Sequence, residues 1–202
     1  MNRAAVWFWA LLAAPTSVLA HSPIEGIDSL YSGVLHPLFV PAHLLLLIAL
    51  GLFIGQRGSN ENQRVIFVFL GAILVGLTVA WFDLPLQPEL ALLAAATLIG
   101  LMIASRLPLS PGWCAFIAAT VGVLLGVDSA QASLTGKEKL ASLFGSSIGI
   151  YLLFLYAMVI GDYLNKGHRR QIGLRVIGSW VAASALLVLA LSLAPQPPLP
   201  GT

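Results

Sequence analysis

Charge is scarce in this chain. Lysine, arginine, aspartate and glutamate together make up 9% of the residues, against 58% that are hydrophobic. An ordinary soluble domain carries roughly a quarter charged residues, so a water-soluble fold is excluded. Cysteine is nearly absent as well. The single Cys114 rules out an intramolecular disulfide and any metal cluster built on several thiolates. Placed at the start of an apolar stretch, it reads as a buried small hydrophobe. Also missing are a phosphate-cradling glycine loop, a Gly-x-Ser-x-Gly elbow and a His-Glu-x-x-His pair, so the chain is not expected to be an enzyme. The net charge of +2 says little by itself, and no feature points to nucleic acid.

What is abundant is apolar sequence in long blocks separated by short polar loops, the pattern of a polytopic helical membrane protein. Residues 1–20 form a separate unit: Arg3 at the positive end, an apolar stretch from Ala4 to Ala14, then Val18-Leu19-Ala20 as a small-residue cleavage pattern. This reads as a signal peptide cut before His21. The expected fold is therefore all-α, a single domain over 21–202. It would cross the membrane with six helices over about 34–54, 65–82, 89–105, 113–128, 142–162 and 174–194. Lysines and arginines set the orientation. With the mature N-terminus outside, the inner loops hold Arg57, Arg64, Arg106, Lys166, Arg169, Arg170 and Arg175, and the outer ones only Lys137 and Lys139. The positive-inside rule then places the chain in a bacterial inner membrane with both mature termini in the periplasm.

Three of the four histidines, His21, His36 and His43, gather near the beginning of the mature chain on its outer side. Imidazole is costly in lipid, so a histidine pair at the mouth of a membrane helix points to a site. His36 and His43 are seven residues apart, which on an unbroken helix separates them by about 10 Å. That is too far for both to reach one ion, whose bonds to nitrogen are about 2 Å long. Pro41 changes this, because it removes a helical hydrogen bond and clashes with the carbonyl of Pro37. The helix is expected to kink or begin afresh there, either joining the two imidazoles or holding them as successive stations. Neutral imidazole suits nickel, copper, zinc or iron. The bland alternative is a hydrogen-bonded interfacial histidine beside a chance proline. Asp83 reads as a turn residue, and Asp162 as a helix-end acid beside the basic loop. Trp81, Trp113 and Trp180 read as interfacial anchors. The pairs Gly51/Gly55, Gly122/Gly126 and Gly145/Gly149 each place two glycines on one helix face, as close helix contacts in lipid require.

The segment Leu35-His-Pro-Leu-Phe-Val-Pro-Ala-His-Leu-Leu, continuing to Gly51 and Gln56, resembles the first signature of the HupE/UreJ family. Members are small membrane proteins regarded as nickel or cobalt permeases serving hydrogenase and urease maturation. His36, Pro37 and His43 match; the acid that precedes the second histidine in the family is Ala42 here, and the spacer glycine is missing. Arg175, Gly178 and Ala182 in the last helix also fit. The family's second signature, Phe-His-Gly-x-Ala-His-Gly-x-Glu, superposes best on Thr120 to Asp128. Gly122 and Gly126 survive, Asp128 stands for the glutamate, and Val121 and Leu125 replace both histidines. Losing an acid and two imidazoles removes donors that a divalent cation needs in place of water.

The resemblance implies a metal site of His21, His36, His43 and Asp128, no permanently bound cofactor, and nickel or cobalt as the transported ion. The implied partners are the lipid bilayer, the transition-metal ion, and a second copy or a membrane partner protein. The alternative is a non-transporting accessory or structural subunit on the same fold. The orientation has a direct check. An alkaline phosphatase fused at the C-terminus is expected to be active, and one fused after Arg57 inactive; the opposite pattern overturns the topology.

Overall fold

The computed structural model describes residues 27–82, 84, 86–131 and 134–194. The expected signal peptide, His21 and Asp83 lie outside the described residues. The described chain is helical: α1 (Ile27–Phe39), α2 (Pro41–Gly55), α3 (Ser59–Trp81), α4 (Glu89–Ser105), α5 (Pro111–Asp128), α6 (Gly136–Asn165) and α7 (His168–Leu193). Four of these, α3, α5, α6 and α7, are long and apolar enough to cross a membrane, and α1 with α2 makes a fifth crossing if the bent pair is one span. At 17 residues, α4 is a shorter apolar helix.

The first span differs from a single helix over 34–54. Its helical structure starts at Ile27 and breaks between Phe39 and Pro41 with a bend of 71°. Val40 is extended at φ −92°, ψ 110°, as a residue before proline prefers. Pro41 then opens α2 at a position where a missing N–H costs nothing. The chain is one continuous descent in spite of the bend. Gly33 and Gly149 bring α1 beside the first half of α6, and Gly51 and Gly55 bring α2 beside its second half, all in the same direction.

Helix α2 is apolar on every side, and such a helix belongs in an interior. It touches each of the other six helices, and Leu46, Leu47, Leu50, Phe53 and Ile54 on it are buried. Around it stand three tight pairs: α3 with α5 running parallel, α4 with α7 antiparallel, and the α1–α2 pair with α6. Glycine makes each approach. A Cβ at Gly126 would sit 2.6 Å from the carbonyl oxygen of Ile73 and 2.8 Å from Cα of Gly76. A Cβ at Gly100 would meet the backbone of Gly178 and Ala182 at 2.8 Å. Cys114 is buried as expected, and Trp81, Trp113 and Trp180 are exposed. Lipid, offering no hydrophobic drive between helices, leaves such backbone packing as the main cohesive contact.

Arginines meet at one end, whereas the buried Lys139 donates to the Trp81 carbonyl at the other. Arg57 donates to the carbonyls of Leu107 and Leu109, Arg106 to Gln171, and Arg175 to the carbonyl of Ala104. Asp162 pairs with Lys166 at 2.7 Å at this same end, as its place beside the basic loop implies. Helix α4 closes there in a Schellman turn, with Leu107 N–H on the Met102 carbonyl and Arg106 N–H on that of Ile103. Arg106 takes the left-handed conformation at φ 53° in this turn, a position that favours glycine and costs another residue roughly 1 kcal/mol. Gly126→Val is expected to destabilise the detergent-solubilised protein by about 1–3 kcal/mol through overpacking. Gly71→Ala, where a Cβ meets nothing within 4 Å, should leave the thermal midpoint unchanged or raise it. Equal effects at the two positions would refute the role given to the glycine contacts.

Candidate metal site at the broken helix

The site lies at the end of the bundle opposite the arginines. His36 is in the last turn of α1 and His43 in the first turn of α2, so the Pro41 break lies between them. Their ring centres are 5.3 Å apart and the ring planes 87° to one another. The break therefore brings together two side chains that an unbroken helix would hold about 10 Å apart. Of the two outcomes open at Pro41, the structure takes the first.

Asp128 reaches the pair from a third helix. It is the last residue of α5, and its Oδ2 lies 2.9 Å from Nε2 of His43. An acid there faces the negative end of the helix dipole, an unfavourable place for a carboxylate. The His43 donor and the nearby N-terminus of α2 offset that. His43 is wholly buried, while the Asp128 side chain is 21% exposed. A carboxylate only accepts, so Nε2 of His43 carries the hydrogen. In the neutral ring Nδ1 then keeps a lone pair. Both His43 Nδ1 and His36 Nε2 are buried without a hydrogen-bond partner. A buried nitrogen left unpaired costs about 1–3 kcal/mol, so two of them side by side mark a place where a ligand can repay that cost.

Of the four expected site residues, three meet at this point and His21 lies outside the described residues. Asp128 contacts His43 through its near oxygen. Among the described residues no group of three His, Cys, Asp or Glu is placed to hold one metal ion. Val121 and Leu125, seven and three residues before Asp128, share its helix face. Both are buried, so the positions that are histidine in the resembling signature point into the bundle as hydrocarbon. Two further residues escaped sequence reading. Ser142 and Ser146 on α6 are buried with unpartnered hydroxyls, on the half of α6 that packs against α1. Their spacing of four, interleaved with Gly145 and Gly149, is the signal that could have found them.

Apolar helices wrapped round an apolar central helix, with the charged side chains described above towards the two ends, define a multi-pass helical membrane protein. The model of the HupE / UreJ protein family matches residues 9–188. The chain belongs to that family. No curated protein and no solved structure matches it. Selective nitrogen-15 labelling of histidine is expected to show His43 as the Nε2–H tautomer at neutral pH, and Asp128→Asn to disturb that signal before any other. An Nδ1–H tautomer would contradict the assigned hydrogen bond.

Proposed function

We propose that the protein captures a divalent transition metal, nickel or cobalt, on the periplasmic side of the bacterial inner membrane and carries it across. The observation behind this reading is the pair of unpartnered imidazole nitrogens that the Pro41 break brings together. Metal–nitrogen bonds of about 2 Å fit between rings whose centres are 5.3 Å apart. Asp128 holds the far nitrogen of His43, the arrangement by which an outer carboxylate fixes a histidine ligand's tautomer and raises its basicity. His21, at the expected mature N-terminus, supplies a further imidazole and a terminal amine. Six crossings complete the topology, with α4, antiparallel to α7, as the sixth; 17 residues lie at the short end for a membrane helix.

A second reading rests on Val121 and Leu125. With hydrocarbon where the resembling signature has imidazole, two donors that could replace the ion's water shell are missing from this face of α5. A non-transporting membrane accessory subunit on the same fold accords with that.

Uptake of nickel, cobalt, copper and zinc into proteoliposomes separates the two readings. Transport predicts entry of one ion, abolished by His36→Ala/His43→Ala and weakened about 10–100-fold in apparent affinity by Asp128→Asn. Capture requires neutral imidazole and protons compete for it, so uptake should fall as the outer pH turns acidic. No uptake from folded protein, together with a stoichiometric partner on purification, favours the accessory reading.

A further inference from the structure

The basic end of the bundle holds a second polar site, separate from the histidines. A cavity of about 150 Å³ opens between Gln56, Arg57, Arg106, Leu107 and Pro108. One water needs roughly 10–15 Å³ of such volume, so the space accommodates a group of several heavy atoms. We propose that this pocket binds a phosphate group.

Three observations support this. First, the sign of the field is settled. The C-termini of α2 and α4 converge on the pocket through Gln56 and Arg106, their C-cap residues. Each terminus is equivalent to roughly half a negative charge, and the two guanidiniums outweigh them. The described acid nearby, Asp162, is engaged by Lys166. A metal cation is therefore repelled here and an anion attracted.

Second, Arg57 is fixed and still has a donor to spare. Its guanidinium stacks 4.6 Å above the Phe53 ring and its two terminal nitrogens hold the carbonyls of Leu107 and Leu109. Its Nε is buried without a partner. A guanidinium held in one orientation at the cavity wall offers its charge to a tetrahedral oxyanion without losing further rotamer freedom.

Third, Arg106 stands where the backbone favours glycine. At φ 53° the Schellman turn favours a residue without Cβ, yet the chain places a long cation there. A strained conformation kept at a pocket wall is a reason to look for function. Gln171 holds one terminal nitrogen of Arg106 at 2.8 Å and aims the rest of the group.

The phosphate can come from a phospholipid headgroup or from solution. The pocket lies where the helices end and the loop 106–110 begins, at the depth of a headgroup in the expected topology. The test uses the detergent-solubilised full chain and its thermal midpoint. The probes are short-chain phosphatidylglycerol, a diacylglycerol of the same chains without phosphate, and inorganic phosphate. Phosphatidylglycerol is expected to raise the midpoint where diacylglycerol does not. Arg106→Gln, which keeps the backbone strain and removes the charge, should move the half-stabilising concentration up by about tenfold. Arg106→Gly relieves the strain and should lose the response while melting no lower without lipid, so a failure to fold cannot imitate the result. Stabilisation by the lipid alone assigns the headgroup; stabilisation by inorganic phosphate too assigns the phosphate group itself. If both Arg106 variants respond as wild type does, or if neither phosphate-bearing probe stabilises wild type, the proposal is overturned.

Discussion

The break between Phe39 and Pro41 is the constraint on which the site and the fold both depend. A proline ring cannot share space with the carbonyl four residues before it, and that carbonyl belongs to a second proline, Pro37. The chain answers with one extended residue, Val40, and a turn of 71°. On one side of that turn α1 lies along the glycine face of the first half of α6. On the other, α2 enters the centre of the bundle and meets every other helix. The same turn folds two histidines from opposite sides of it into ring contact. Without it, one straight helix could not both follow α6 at its start and occupy the core at its end.

Backbone contact through glycine does the remaining work. In lipid there is little water to expel from between helices, and close packing supplies the attraction instead. The three tight pairs each use it. The histidine end carries two buried, unpartnered imidazole nitrogens beside a carboxylate; the arginine end carries two guanidiniums around a cavity, with Nε of Arg57 unpartnered. One end offers imidazole nitrogens and a carboxylate, and the other concentrates guanidinium charge. For a carrier, that asymmetry means the ion's release cannot run through the arginine pocket and must lie elsewhere at that end.

Much of this was legible in the chain. Scarce charge and apolar blocks determine a membrane bundle, because lipid admits few other solutions for the backbone. The glycine pairs were readable because four-residue spacing puts both on one face whatever the neighbour, and each of the three pairs does make a close helix contact. Pro41 announced a break, since the clash is local and needs no tertiary partner. The distribution of arginine and lysine marked one end as basic, and family membership follows from the same linear pattern.

The tertiary structure decided the rest. That His43 pairs with Asp128 could not be read from residues 85 apart, for only the packing of α5 beside α2 brings them to 2.9 Å. That the break folds the two imidazoles together depended on where α6 allows α1 to lie. Nor do Arg57 and Arg106 reveal a shared pocket, since their meeting requires two helices to end at the same depth. Local sterics and hydropathy act between near neighbours and are written along the chain. Sites are assembled from distant segments by close helix approaches, and those exist only in the packed bundle.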